Sequence, residues 1–261
     1  MSDKIFEGQH AVVTGGSRGI GAAIAETLAR HGAMVTIMGR SIATLDTRAR
    51  EMSAASGGQV AGCAVDLGDP ASIDHAFDNL SGDFPAPSIL VNNAGLALSA
   101  PFSRTDLDFW NKILGVDLTG AFLCIRKVLP AMTKAGHGRI VNISSTAGLK
   151  GYPYVSAYCA AKHGLIGLTR SLALETAHKG VTVNSVCPGY TDTDIVRDTI
   201  ANIVNKTGRS AEDALAELVK HNPQSRLIQP AEIAEAVVWL CRPESASVTG
   251  QSIAVAGGEV M

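Results

Sequence analysis

Thr14-Gly-Gly-Ser-Arg-Gly-Ile-Gly21 decides the fold. It closes the apolar run that begins at Ala11 and leads into Ile20, Ile24 and Leu28, whose four-residue steps predict a helix. Strand, glycine turn and helix make a first βα unit. Glycines at 15, 19 and 21 let the chain turn tightly and let a pyrophosphate approach the backbone. The helix behind them offers its N-terminal N–H groups to the negative charge. Glycine clusters often do no more than shape a loop, but this one stands at the junction where a dinucleotide's phosphates bind.

The same alternation continues outward. Strands are predicted at 33–38, 60–65, 89–92, 139–144, 181–186 and 252–255, with helical patterns between them, one starting at Ser41. Nearly every strand is apolar throughout, which marks a parallel sheet covered on both faces, an α/β fold. No linker or repeat interrupts residues 1–261, so a single domain is expected. The one long stretch without strand signals, 190–229, holds helical pieces at 194–204 and 211–221. It would lie above the carboxyl ends of the strands as a substrate cover.

Composition narrows the function classes. The net charge of −2 offers no field for nucleic acid or an anionic membrane. The N-terminus lacks a leader-like apolar run, and no window reaches the length of a membrane helix. Five cysteines (Cys63, Cys124, Cys159, Cys187, Cys241) form no CxxC pair and make an odd total. They read as buried thiols in a reducing compartment, and a cytoplasmic protein without metal, membrane or nucleic-acid partners is expected.

The end of the second strand chooses the dinucleotide. An Asp or Glu there would bond the ribose 2′-OH of NAD. This chain has Gly39-Arg40-Ser41, with Arg18 in the glycine turn. Two guanidinium groups suit the 2′-phosphate of NADP(H); the alternative is a pair of solvated surface arginines. Asp66 closes the third strand, where it could bond the adenine amino group or cap the helix starting at Pro70.

Tyr158-Cys-Ala-Ala-Lys162 puts a phenol and an ammonium on one helix face. A tyrosine pKa of about 10 is too high for proton transfer at neutral pH. A neighbouring Lys⁺ favours the phenolate, as would the positive nicotinamide ring of an oxidised cofactor. A lowering of about two or three pH units is within reach of a close, partly desolvated cation. Ser145 ends the fifth strand, where its hydroxyl could bind a substrate oxygen; Ser144 should point to the opposite face.

Together, Thr14–Gly21, Asn92-Asn-Ala-Gly95, Ser145, Tyr158, Lys162 and Pro188-Gly189 resemble the motif set of the short-chain dehydrogenase/reductase family over essentially the whole chain. The resemblance implies a Rossmann fold with a seven-stranded parallel sheet, assembled as a homotetramer through helices at roughly 117–133 and 155–178. It implies that Tyr158 donates the proton to a carbonyl polarised by Ser145, with hydride from NADPH. Gly15, Ser17, Arg18, Gly19, Ile20, Gly21, Arg40, Ser41, Asp66, Leu67, Asn93, Ala94, Gly95, Tyr158, Lys162, Pro188, Gly189, Thr191 and Thr193 would contact the cofactor. The family usually has an asparagine where this chain has Asp117, in Gly115-Val-Asp-Leu-Thr-Gly120. An ionised Asp can accept from a relay water but cannot donate as an amide does, and it could neutralise part of the Lys162 field.

The chain also looks like 3-oxoacyl and polyketide ketoreductases and 3-hydroxybutyrate dehydrogenases. A 3-oxoacyl thioester or related β-keto compound is therefore the expected carbonyl substrate, and its 3-hydroxy form the alcohol. A sugar, polyol, steroid or aromatic alcohol is the alternative, and a non-catalytic NADPH-binding protein a further one. Tyr152, Tyr154 and Tyr190 read equally as pocket lining or as packing.

Overall fold

The computed structural model describes residues 4–80 and 82–261, with the side chain of Lys206 left aside. Met1–Asp3, part of the start read above, and Lys206, a charge of the 190–229 stretch, thus fall outside what is described. Seven strands form one sheet: β1 (His10–Thr14), β2 (Met34–Gly39), β3 (Val60–Ala64), β4 (Ile89–Asn92), β5 (Gly138–Ile143), β6 (Val181–Pro188) and β7 (Ser252–Val255). Their order is β3-β2-β1-β4-β5-β6-β7, and every pairing is parallel.

Side chains alternate between the two faces with the strand period of two. Ala11, Val13, Ile37, Val91 and Val141 join one buried cluster with α1 (Gly19–Arg30), α2 (Ile42–Ser56) and α9 (Pro230–Cys241). Val12, Leu90, Ile140 and Val183 join the other, with α3 (Pro70–Asp78), α5 (Ala121–Ala135) and α6 (Ser156–Thr176). Helices on both faces explain why the strands are apolar from end to end. The chain leaves β1 towards β2 on one side and returns as β4 on the other. That reversal opens a crevice beyond the carboxyl ends of β1 and β4.

Two regions differ from the sequence expectation. The helix expected at 117–133 starts earlier, as α4 (Leu107–Leu114), and widens into a π turn at Gly115–Gly120 before α5. Such turns accommodate one extra residue and are frequent at functional sites; here the turn buries Asp117. A Cβ on Gly120 would stand 2.8 Å from the Leu67 carbonyl oxygen, so the turn lies tight against the loop after β3. In the 190–229 stretch, α7 (Asp194–Thr207) runs past the expected end, and α8 (Ala211–Val219) stops short of it. The stretch is tied at its root by a bridge between Thr191 and Ile228.

Candidate active site

The glycine turn is built by exclusion of side chains. Gly15 has φ 65°, and a Cβ there would stand 2.9 Å from Asn93 Nδ2. On Gly21 a Cβ would be 2.3 Å from the Gly15 carbonyl oxygen, so any larger residue pushes the helix off the turn. Thr14 and Asn93 lock the turn to β4. The Thr14 hydroxyl accepts from the N–H groups of Asn93 (3.0 Å) and Ala94 (3.1 Å), and Asn93 Nδ2 donates to the Thr14 carbonyl at 2.9 Å. Asn92 Nδ2 donates to Asn142 Oδ1 at 2.9 Å, tying β4 to β5. One contributor had no sequence signal: Arg48 Nε, on α2, donates to the Ser17 carbonyl at 3.2 Å and braces the turn from outside.

At the adenosine corner, Arg18, Arg40 and Ser41 are exposed. Arg18 stands at the N-terminal boundary of α1 without a side-chain capping bond. Among the described residues neither arginine is ion-paired with a carboxylate, so both guanidinium groups remain available to a phosphate. The hydroxyl of Ser41 caps α2 by accepting from Thr44 N at 3.4 Å. Asp66 does not cap the helix that follows. Asp69 takes that place by accepting from Ala71 N, because Pro70 is the first helical residue and the cap must immediately precede it. Asp66 Oδ1 instead accepts from Gly68 N at 2.9 Å, which shapes the loop carrying Leu67.

The segment after β6, expected to hold the nicotinamide end, borders the crevice. Gly189 N donates to Val255 O at 3.1 Å, and the Thr191 hydroxyl donates to the Gly189 carbonyl at 2.9 Å. Thr193, at the start of α7, hangs over the glycine turn: a Cβ on Gly19 would stand 3.2 Å from its methyl carbon. Pro188 to Thr193 and the glycine turn therefore face each other across the crevice. The glycine cradle, the free arginines and this facing segment fit a phosphorylated dinucleotide.

Ser145, Tyr158, Lys162 and Asp117 converge at the same edge. Ser145 follows β5 and accepts from Ala147 N at 3.1 Å. Ser144 turns the other way, donating to the Lys162 carbonyl on α6 at 3.1 Å. Half-buried Tyr158 and buried Lys162 lie one turn apart on α6, with the ammonium 5.5 Å from the ring centre. The Ser145 hydroxyl lies close enough to the phenol to act on it. Lys162 Nζ donates to the Ile143 carbonyl at 3.1 Å and lies 3.5 Å from Asp117 Oδ2. Asp117 Oδ1 accepts from Leu96 N at 2.8 Å, while buried Oδ2 accepts no regular hydrogen bond and faces the Lys162 ammonium. Gly95 closes this triangle, since a Cβ there would be 3.0 Å from Asp117 Oδ2 and 3.3 Å from Lys162 Nζ.

The electrostatics correct one expectation. Within the protein itself the Tyr158 phenol is held above its ordinary value, not below it. Burial raises it, Lys162 and the Ser145 hydroxyl oppose this, and the Asp117 carboxylate reinforces it. Asp117 is likewise raised by burial, against the pull of Lys162. Burial works to lower Lys162, but Asp117 and Tyr158 outweigh it and keep the ammonium charged. The Lys162 cation is shared with the Asp117 carboxylate, as the departure at that position leads one to expect.

A second polar cluster stands beside this one. Glu259, near the C-terminus, meets Lys150 and Tyr152. Sequence reading had not singled it out, because its partners lie more than a hundred residues earlier. Tyr152 is thus committed to a hydrogen-bond network, whereas Tyr154 is exposed, with φ 67°.

Known proteins agree with this geometry. Residues 15–259 match the family model described as enoyl-(acyl carrier protein) reductase. The 3-oxoacyl-(acyl-carrier-protein) reductase of Escherichia coli (strain K12) is 40% identical over 256 residues, covering 98% of this chain and 99% of that protein. The D-beta-hydroxybutyrate dehydrogenase of Rhizobium meliloti (strain 1021) is 37% identical over 250 residues, 95% of this chain and 97% of its own. Among solved structures, actinorhodin polyketide ketoreductase with NADPH superposes with a TM-score of 0.92 at 34% identity, covering 99% of each chain. Full-length similarity at this level shows that the chain belongs to the short-chain dehydrogenase/reductase family of oxidoreductases.

Proposed function

We propose that this protein is an NADP(H)-dependent oxidoreductase that interconverts a β-keto compound, a 3-oxoacyl thioester or a close relative, and its 3-hydroxy form. The observation carrying this reading is the convergence of Ser145 and Tyr158 at the crevice, with Lys162 behind them 5.5 Å from the ring centre and two exposed arginines at the far end. Arg18 and Arg40 would hold the 2′-phosphate, Gly15 to Gly21 the pyrophosphate, and Asp66, Leu67 and Asn93 to Gly95 the adenosine end. Pro188, Gly189, Thr191 and Thr193 would hold the nicotinamide end, with Lys162 near its ribose. When bound, the cofactor supplies the hydride, and in its oxidised form a positive charge near the phenol.

The chain's own groups manage the oxygen and the proton. Ser145 and Tyr158 would each donate to the carbonyl oxygen, and as charge develops there Tyr158 releases its proton. A phenol held above its ordinary value stays protonated at neutral pH, as a proton donor in reduction requires. Lys162 steadies the phenolate left behind. Asp117, with one buried oxygen free to accept, is placed to receive a proton-relay water. The cover of α7 and α8 would exclude bulk water from the crevice.

The reading extends to assembly and compartment. Exposed Phe122 on α5 and Leu174 on α6 support a homotetramer built through these helices. Five free cysteines suit the reducing cytoplasm. No helix among the described residues is long and apolar enough to cross a membrane.

The function is tested by following NADPH absorbance with a 3-oxobutanoyl thioester, using an enoyl thioester and NADH as controls. Turnover with NADPH and the keto substrate is expected, and Tyr158→Phe should lower kcat/KM by about a thousandfold. Turnover unaffected by Tyr158→Phe, or confined to the enoyl thioester, would overturn the assignment.

A further inference from the structure

The pocket beside the reacting edge carries a built specificity element, and its reading rests on the reductase assignment above. Thr146, next to Ser145, leads through a short 3-10 turn to Lys150 and Tyr152. There the chain meets Glu259, whose side chain is only 2% exposed. Glu259 Oε1 lies 3.1 Å from Lys150 Nζ and accepts a hydrogen bond from the Tyr152 hydroxyl, which is itself 2.8 Å from Thr146 Oγ1. The second oxygen faces the crevice wall, since a Cβ on Gly189 would stand 3.3 Å from Oε2. Tyr190 lies within electrostatic reach of both Glu259 and Tyr158. The cluster therefore borders the space between Ser145–Tyr158 and Gly189, where a substrate's chain must leave its reacting carbonyl.

A buried carboxylate survives there because it is paired and hydrogen-bonded. Its presence commits Lys150, the cation nearest this wall. Three further cations, on the catalytic edge and in the 190–229 stretch, are committed too. Lys162 faces Asp117 at 3.5 Å, Arg197 faces Asp192 and Asp194, and Arg226 grips Glu232 with both nitrogens. A substrate bearing a free carboxylate next to its ketone would bring a further negative charge against Glu259 and find Lys150 taken. Like charges brought together out of water discriminate strongly against such a ligand.

We propose that Glu259, by holding Lys150 and Tyr152, is a specificity-determining residue that closes the pocket to free β-keto acids and admits their uncharged thioester or ester forms. The geometry thus separates two activities carried by the names of its relatives, reduction of an acyl thioester and turnover of a free hydroxy acid.

The test compares acetoacetate with its N-acetylcysteamine thioester, which presents the same ketone without the charge. Wild-type protein with NADPH should prefer the thioester by about a hundredfold in kcat/KM. Glu259→Gln keeps the shape and releases Lys150, and should narrow that ratio by about tenfold, chiefly through a lower KM for acetoacetate. Adding Lys150→Met to Glu259→Gln should widen the ratio again, because the released cation is gone. Calorimetric titration of acetoacetate into the NADP-loaded protein should rank the three proteins in the same order. A wild-type preference for acetoacetate would overturn the proposal. So would a ratio that Glu259→Gln leaves unmoved while the thioester still turns over, the outcome a merely structural Glu259 would give. Failure to reduce any ketone would instead overturn the reductase reading, and this inference with it.

Discussion

The two sides of the crevice treat charge in opposite ways. On the adenosine side, Arg18 and Arg40 are exposed and unpaired, and the turn between them is made of backbone and missing side chains. On the catalytic side, buried Lys162 faces Asp117, and partly exposed Lys150 is held by the buried carboxylate of Glu259. Exposed unpaired cations cost little while they wait for a phosphate, because water solvates them. Buried ones need partners, and those partners become part of the chemistry. One side is thus a receptor completed by its ligand, while the other is a circuit of charges already coupled to one another.

That contrast can be broken most forcefully at the turn. Gly21→Ala drives a methyl into the Gly15 carbonyl, an overpacking cost of about 1–3 kcal/mol. NADPH affinity, read by calorimetry, should fall by up to about a hundredfold. Gly167→Ala, where a Cβ meets nothing within 4 Å, should leave it alone. Affinity held by Gly21→Ala would mean that the turn is not the phosphate site.

The arginines sharpen the comparison at the next level. Arg40→Ala removes one charge-assisted contact to the 2′-phosphate and should cut the preference for NADPH over NADH by about tenfold. Because the corner is exposed, the KM for NADPH should also rise with added salt. A salt-independent KM and an unchanged cofactor ratio would return both arginines to the status of solvated surface residues.

The smallest effect falls on the catalytic side. Asp117 raises Tyr158, so Asp117→Asn should lower the phenol. Alcohol oxidation needs the deprotonated tyrosine and rises with pH through its pKa. The rise should therefore move to lower pH. A shift to higher pH would show that Asp117 supports the phenolate rather than opposing it.

The same contrast explains what could be read from sequence. Thr14–Gly21 is contiguous, and Tyr158 and Lys162 are one helical turn apart, so local spacing reveals them. The seven strands announce themselves by apolar runs because the helical layers bury both faces. Asp117 was noticed as a departure from a pattern, but not its position inside a π turn 3.5 Å from Lys162. Helical periodicity carries no mark of one extra residue. Burial of the phenol, reinforced by the Asp117 carboxylate, reversed the expected sign at Tyr158. Glu259 lies in a short tail of glycines and apolar residues, and only the tertiary fold brings it to Tyr152. Asp66 reads in sequence as a possible cap of the helix starting at Pro70, but a cap immediately precedes the first helical residue, which makes it Asp69.

Tracing the transferred hydrogen gives the most direct test of the central claim. NADPH deuterated at its transferable position is incubated with the 3-oxobutanoyl thioester, and the product is read by mass spectrometry and NMR. The account predicts deuterium on the carbon that bears the new hydroxyl, with formation of that product suppressed in Tyr158→Phe. An unlabelled alcohol, or a label found only on the chain of a reduced enoyl thioester, would contradict it.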